Sequence, residues 1–115
     1  MEDGQLTGFT RTVIIFSKTF CPHSKDAKRI LLEKYIIYPE PHVVELDQHP
    51  HGKELQALLA EKTKRRTVPN VMANGISIGG GDDILEFDRK GNLEAKLSEP
   101  MKGTRVIDVK LRHGG

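Results

Sequence analysis

Five consecutive residues, Thr12-Val13-Ile14-Ile15-Phe16, constrain the fold of this chain more than any other part of its sequence. The run is rich in β-branched residues and carries apolar side chains on both faces of an extended strand. A strand of that kind lies inside a sheet and is covered by other elements on both sides. The run therefore predicts a central strand in an α/β domain.

The residues after this strand predict a helix and then a second strand. Pro22 begins the helix, because the N–H that proline lacks has no partner in the first helical turn. The apolar positions of the helix recur at helical spacing and are Ala27, Ile30, Leu31 and Tyr35. Residues 43–46 contain another short apolar run and predict the second strand. Two strands joined by a helix in this way are expected to be parallel, with a right-handed crossover.

A β-hairpin is the clearest local signal in the second half of the chain. Asn74-Gly75 separates the apolar runs 71–73 and 76–78, and both central residues of a type I′ turn need a positive φ. The neighbouring predicted helices run from about residue 50 to 62, from 82 to the Gly91-Asn92 break, and around 93–97. Residues 106–111 predict one further strand. This order of elements predicts a mixed sheet with helices on both faces.

Composition limits the classes of function that are open to the chain. A length of 115 residues is typical of one domain. A net charge of +2 and an aromatic content of 5% do not fit a nucleic-acid-binding surface. No apolar run approaches the roughly 20 residues of a membrane span, so no membrane contact is expected. The single cysteine, Cys21, excludes an internal disulfide.

Cys21 lies between the first predicted strand and the helix that Pro22 begins. A lone cysteine is more often a buried small hydrophobe than a nucleophile. At this position, however, unpaired N–H groups and the positive end of the helix dipole favour a thiolate, and Lys18 adds a positive charge. The carboxyl end of a parallel strand is also where α/β folds place ligands. The position therefore predicts a reactive thiolate at Cys21.

Three segments in order resemble the glutaredoxin family. Residues 16–18 with Cys21-Pro22-His23-Ser24 resemble its active-site segment, and residues 67–71 resemble its Thr-Val-Pro loop, whose proline is cis. Residues 74–83 resemble its glycine-rich glutathione loop. The resemblance implies a thioredoxin-like, three-layer α/β/α fold with a central mixed four-stranded sheet over residues 12–97. Residues 1–11 and 98–115 are then an N-terminal and a C-terminal tail.

The resemblance is closest to the monothiol glutaredoxins, because Ser24 replaces the second cysteine of the usual Cys-Pro-Tyr-Cys site. Residues 35–41, 43–47 and 51–56 are similar to the Cys-x-x-Ser branch of the Golgi and endoplasmic reticulum. Members of that branch have an N-terminal membrane anchor, which implies a secretory-pathway location if an anchor has been removed and a cytoplasmic one otherwise. The family also has a helix before the first strand. Either that helix is missing here, or the 98–115 tail compensates for it.

The resemblance further implies a glutathione site beside Cys21. Asp83 would bind the γ-glutamyl amine, and the helix start at Asp82 would bind the adjacent carboxylate. The backbone of Val68 would bind the peptide of glutathione. Lys18 and one of Arg65 or Arg66 would pair with the glycyl carboxylate. The complete set of predicted glutathione-binding residues is Lys18, His23, Arg65, Arg66, Thr67, Val68, Pro69, Gly80, Gly81, Asp82 and Asp83. The alternative is that Asp82 and Asp83 only cap a helix and that the basic run of Lys62, Lys64, Arg65 and Arg66 is a solvated helix end.

Two functions of different classes follow from the resemblance. The first is a glutathione-dependent thiol–disulfide oxidoreductase, a monomer acting through Cys21 on glutathionylated proteins or small disulfides. The second is an iron–sulfur carrier or sensor, in which Cys21 of two chains and two glutathione thiols would ligate a [2Fe–2S] cluster. Cys21 is a metal ligand only in such a dimer. Pro22 argues against the cluster, since a stiff active-site turn hinders its assembly in dithiol relatives.

Overall fold

The computed structural model of the protein describes residues 13–98 and 107–112. The strands within these ranges are β1 (Val13–Ser17), β2 (Tyr35–Tyr38), β3 (His42–Glu45), β4 (Asn70–Ala73), β5 (Ile76–Gly79) and β6 (Asp108–Leu111). The helices are α1 (Pro22–Lys28), α2 (Gly52–Thr63), α3 (Gly81–Lys90) and α4 (Leu93–Ser98), and a π-helical turn over Arg29–Lys34 continues α1. The predicted N-terminal tail, and residues 99–106 and 113–115 of the predicted C-terminal tail, lie outside the described residues.

The central sheet has the strand order β3-β1-β4-β5. β1 pairs in parallel with β3 and antiparallel with β4, which in turn pairs antiparallel with β5. Val13 and Ile15 of β1 are fully buried, as a central strand requires. The sheet is therefore mixed and four-stranded with flanking helices, and the predicted α/β fold is confirmed.

The β4–β5 hairpin turns at Asn74-Gly75, where φ is 50° and 83°. These left-handed values are the ones that asparagine and glycine tolerate best, so the predicted hairpin is confirmed. Because β4 runs against both of its neighbours, β5 runs in the same direction as β1. One end of the sheet consequently contains the carboxyl ends of β1, β3 and β5 and the amino end of β4.

The predicted placement of Tyr35 on the first helix is wrong. Helix α1 ends at Lys28, the π-helical turn ends at Lys34, and Tyr35 begins β2. Tyr35 is buried, but it reaches the core as a strand residue, paired with Leu111 of β6 in a separate two-stranded antiparallel sheet. The strand predicted within residues 106–111 is confirmed as β6.

A polar cluster around Glu45 fastens α1 to the sheet. The carboxylate accepts a hydrogen bond of 2.6 Å from the hydroxyl of the buried Ser17. It also pairs with Lys28 Nζ at 2.6 Å, and both of these side chains are mostly shielded from solvent. Since Ser17 ends β1, Glu45 ends β3 and Lys28 ends α1, the cluster fixes the helix relative to both strands. None of the helices in the described ranges is long and apolar enough to cross a membrane.

Candidate active site

Cys21 lies at the end of the sheet where β1 and β3 terminate, and it is the N-cap of α1. The turn between β1 and the helix is closed by a hydrogen bond of 3.1 Å from Cys21 N–H to the carbonyl of Lys18. The carbonyl of Cys21 accepts the N–H of Lys25 at 3.0 Å and so begins the helical hydrogen bonds. The side chain is partly exposed. The thiol is thus fixed at a helix start and accessible to solvent, as predicted.

The environment of Cys21 favours the thiolate. Burial by itself raises the pKa of the thiol, but hydrogen bonds from the N–H and hydroxyl of Ser24 and from the N–H of His23 outweigh it. The charge of Lys18 acts in the same direction, and the pKa of Cys21 is lowered from its ordinary value. His23 and Ser24 are the second and third residues of α1, whose N–H groups have no helical partner. In the thiol form, Sγ faces the carbonyl oxygen of Val68 at 3.8 Å.

Ser24, which the sequence analysis identified only as the replacement for a second cysteine, has a hydrogen-bonding role that it did not predict. It is fully buried, and its Oγ accepts a hydrogen bond of 3.3 Å from the N–H of Lys18. Its hydroxyl hydrogen is therefore available for the thiolate of Cys21. The sequence contained the signal, because an N-cap side chain faces the third residue of its helix. Ser24 thus replaces a second thiol with a hydrogen-bond donor that cannot form a disulfide.

The loop before β4 approaches Cys21 through Val68. The Val68–Pro69 peptide bond is cis, as the family resemblance implies. Asn70, which follows, is buried, and its side chain donates to Thr63 Oγ1 at 3.1 Å and accepts from Ser77 Oγ at 2.7 Å. These bonds join the end of α2 to the β4–β5 hairpin and hold the intervening loop in place.

The glycine-rich segment at the end of β5 supplies the other wall of the site. Asp83 Oδ2 accepts hydrogen bonds from Gly80 N–H at 2.8 Å and from Arg65 Nη2 at 3.2 Å. Asp83 therefore caps α3, as the alternative interpretation held, and also holds Arg65. A Cβ at Gly81 would lie 2.9 Å from both Cβ and the carbonyl oxygen of His23, so only glycine lets α3 approach α1 this closely.

A groove of about 480 Å³ lies between these walls. It brings together most of the predicted glutathione-binding residues, namely His23, Arg65, Thr67, Val68, Pro69, Gly80, Gly81, Asp82 and Asp83. Cys21 borders the groove through its contact with Val68. Arg66 lines a neighbouring cavity instead, and Lys18 lines a third one. Of the two arginines that the sequence offered for one carboxylate, the groove therefore contains Arg65.

The loop that carries Lys18 is held from the far side by Asp47, another residue whose role the sequence analysis did not predict. Both carboxylate oxygens of Asp47 accept hydrogen bonds from Thr19, one from its N–H at 3.0 Å and one from its hydroxyl. The hydroxyl bond, against a smaller opposing effect of burial, lowers the pKa of Asp47. Phe20 is left 68% exposed beside Cys21. The site thus has a polar groove on one side and an anchored, aromatic rim on the other.

The described residues of one chain do not hold a metal site. They contain no group of three or more histidine, cysteine, aspartate or glutamate side chains that could hold an ion. A [2Fe–2S] cluster needs four thiolate ligands, and this chain offers only Cys21. One chain therefore supplies one of the four ligands of such a cluster. A second chain and two further thiols would have to supply the other three.

The protein is similar in sequence to known glutaredoxins. The family model described as glutaredoxin matches residues 13–78. Monothiol glutaredoxin-7 of Saccharomyces cerevisiae is 48% identical over 81 residues, which cover 70% of this chain and 40% of that protein. Glutaredoxin-C8 of Oryza sativa subsp. japonica is 42% identical over 90 residues, covering 78% of this chain and 65% of the relative. The chain therefore spans less than two thirds of either relative.

Solved structures agree with the sequence comparison. The holo form of glutaredoxin C1 from Populus tremula x tremuloides superposes with a TM-score of 0.70 at 34% identity, covering 85% of this chain and 94% of that one. A buckwheat glutaredoxin–glutathione complex gives a TM-score of 0.68 at 34% identity, with coverage of 85% and 86%. The single thiol at a helix start, the groove beside it and these likenesses lead to one conclusion. The chain belongs to the glutaredoxin family.

Proposed function

We propose that the protein is a glutathione-dependent thiol–disulfide oxidoreductase that removes glutathione from mixed disulfides. The observation that carries this proposal is the placement of Cys21, whose lowered pKa favours the thiolate, at the border of the groove. A thiolate and not a thiol is the nucleophile in disulfide exchange. The glutathione complex of the buckwheat relative supports glutathione as the ligand.

The reaction requires no second protein thiol. The Cys21 thiolate attacks the glutathione sulfur of a mixed disulfide, the old S–S bond breaks, and the substrate leaves as a thiolate that takes a proton from water. Cys21 then holds glutathione in a new disulfide. The thiolate of a second glutathione attacks the glutathione sulfur of this adduct, which releases oxidised glutathione and regenerates the Cys21 thiolate. Ser24 fits this cycle because it cannot divert the adduct into an internal disulfide.

The polar groups of the groove match the charges of glutathione. Arg65 offers a guanidinium to a carboxylate, and Asp83 offers a carboxylate to the γ-glutamyl amine. The N–H groups at the start of α3, near Asp82, suit the adjacent carboxylate. The backbone of Val68, already 3.8 Å from Sγ, offers an extended edge to the peptide. Lys18 acts through its charge on Cys21 and lies outside this groove.

The first experiment replaces the nucleophile. Because Cys21 is the only thiol, Cys21→Ser abolishes the release of glutathione from a glutathionylated peptide, while the melting temperature stays within a few degrees of the original. Turnover is measured by the formation of oxidised glutathione, and folding by thermal unfolding. Turnover above the uncatalysed rate in the purified, folded variant contradicts the proposal.

The alternative is a glutathione-ligated [2Fe–2S] cluster shared by two chains. The accessible Cys21 and the exposed Phe20 beside it favour this alternative, because they leave the thiol open to a second copy. Anaerobic reconstitution with iron, sulfide and glutathione tests it. A visible absorption band together with a dimer in solution supports the carrier, whereas a colourless monomer with full turnover supports the enzyme.

A further inference from the structure

A second cavity, of about 570 Å³, adjoins the glutathione groove on the side of α2. It shares Arg65, Thr67 and Asp83 with the groove, so the two spaces are direct neighbours. Its outer wall is the loop between α2 and β4, which contains three consecutive basic residues, Lys64, Arg65 and Arg66. The proposed reaction uses the charge of Arg65 for glutathione and leaves the charges of Lys64 and Arg66 without a role.

Hydrogen bonds fix the backbone of this basic loop. Lys64 has a left-handed backbone with φ of 65°, and its N–H donates to the carbonyl of Ala60 at 2.9 Å. The N–H of Arg65 donates to Thr63 Oγ1 at 3.2 Å, and Gln56 Nε2 donates to the carbonyl of Arg66 at 2.9 Å. Successive residues of the loop are thus held by different partners. Because the backbone is already ordered, binding does not have to order the loop, although the side chains still lose rotamer freedom.

The charges of the loop are only partly neutralised inside the protein. Arg65 pairs with Asp83, the one carboxylate among the residues that line the cavity. That carboxylate also accepts the N–H of Gly80. In the part of the chain that the structure describes, Lys64 and Arg66 have no ion-pair partner, and both are exposed. The cavity therefore carries an excess of positive charge that a ligand with carboxylates would complement.

We infer that this cavity docks an acidic segment of the substrate protein. The segment adjoins the substrate's own glutathionylated cysteine. The inference rests on the proposed function, because the glutathione part of the mixed disulfide must lie in the adjoining groove. A substrate held there by its glutathione is able to place neighbouring residues against Lys64 and Arg66. The net charge of only +2, and the fact that none of the residues lining this cavity is aromatic, disfavour a nucleic acid as the occupant.

The test compares glutathionylated peptides that differ only in the charge of the residues flanking the cysteine. At physiological ionic strength we expect kcat/KM to be about tenfold higher for a peptide with flanking aspartates than for one with lysines. The mixed disulfide of glutathione and 2-mercaptoethanol, which is too small to reach the cavity, measures the basal reaction. Raising the salt to 0.5 M is expected to remove most of the difference, since the attraction is screened.

Two variants separate the cavity from the general charge of the protein. Lys64→Asp reverses one charge and keeps a residue type that tolerates the left-handed backbone. We expect it to lower kcat/KM for the acidic peptide about fivefold and to leave the small disulfide within about twofold. Lys53→Asp makes the same change in net charge at the other end of α2, about 16 Å away and beyond the Debye length of about 8 Å. It is expected to change neither rate.

The outcomes distinguish the docking site from the proposed function. Equal kcat/KM for acidic and basic peptides, or an equal loss in Lys64→Asp and Lys53→Asp, overturns the docking site.

If the small mixed disulfide is not turned over, the proposed function fails. Docking is then decided by titrating the reduced acidic peptide and following the backbone amide signals of residues 64–66. Shifts at those amides that Lys64→Asp weakens support the site. Unmoved amides, or tighter binding of a single-stranded oligonucleotide, overturn it.

Discussion

At the scale of single residues, Cys21 could be identified from its position alone, whereas the roles of Ser24 and Asp47 could not. A cysteine between a buried strand and a proline that begins a helix has few structural alternatives. The role of Ser24 depends on where its hydroxyl lies relative to Sγ and to the N–H of Lys18, and that placement requires the folded turn. Asp47 was missed for a similar reason, because its partner Thr19 is 28 positions away in the sequence.

The contribution of Ser24 is tested by Ser24→Ala. The substitution removes the hydroxyl donor and leaves the N–H donors of residues 23 and 24, so we expect the pKa of Cys21 to rise. The pH dependence of Cys21 alkylation by iodoacetamide measures this, since no other thiol reacts. The titration midpoint moves to higher pH, and alkylation slows below the midpoint. Ser98→Ala, a serine at the end of α4, is the control. An unchanged midpoint in Ser24→Ala shows that the hydroxyl does not bind the thiolate.

At the scale of elements, the local sequence pattern predicted the hairpin correctly but did not predict β2. Asn74-Gly75 determines its turn within two residues, because positive φ is a local demand. Tyr35 follows Leu31 by four positions and so continues a helical pattern, but it is also the first inward residue of the alternating strand 35–38. The choice is made by β6, more than 70 positions later, which pairs with β2. A pattern read over neighbouring residues does not contain that partner.

Tyr35 also connects β2 to α3 through its hydroxyl. The hydroxyl donates to Asp88 Oδ1 at 2.7 Å, while Lys34 Nζ contacts Oδ2 at 2.8 Å. Burial and the Asp88 carboxylate raise the pKa of Tyr35 to about 12, so the hydroxyl stays a donor at neutral pH. Tyr35→Phe is expected to lower the free energy of unfolding by about 1.5 kcal/mol, the effect of a hydrogen bond to a charged group. Tyr38→Phe, on the same strand but 72% exposed, is the control and should change little.

The loss in Tyr35→Phe should depend on pH through Asp88. Burial by itself raises the pKa of this carboxyl, but hydrogen bonds from Lys34 and Tyr35 outweigh it and lower the pKa below its ordinary value of 3.8. A carboxyl with a lowered pKa stabilises the folded state above its unfolded pKa and loses this effect as pH falls through its folded pKa. Urea unfolding should therefore show the full difference at pH 7 and a smaller one below pH 3.8. A difference that grows on acidification contradicts this account.

At the scale of the whole molecule, the small β2–β6 sheet is part of the main core and not a separate appendage. Val109 and Ile107 are buried in the same hydrophobic cluster as Ile15, Leu31 and Ile84. The domain limits of 12–97 that the resemblance implies remain a prediction. The packing of residues 107–112 indicates that the cooperative unit extends beyond residue 97. The active site lies at the end of the central sheet, and none of the groove residues belongs to β2 or β6.

This separation predicts that substitutions in β6 change the free energy of unfolding and leave the turnover of the folded protein unchanged. Val109 is 5% exposed, so Val109→Ala removes two buried methyl groups and should lower the free energy of unfolding by about 2 kcal/mol. Lys110→Ala, the exposed neighbour in the same strand, is the matched control and should have almost no effect. Unfolding is followed by far-UV circular dichroism and by the reactivity of Cys21, which lies far from β6 in the sequence. If β6 belongs to the cooperative unit, both probes shift together to lower denaturant, whereas turnover by the folded variant is unchanged. A loss confined to one probe would mean that β6 unfolds on its own, because the core around β1 then keeps Cys21 in place without it.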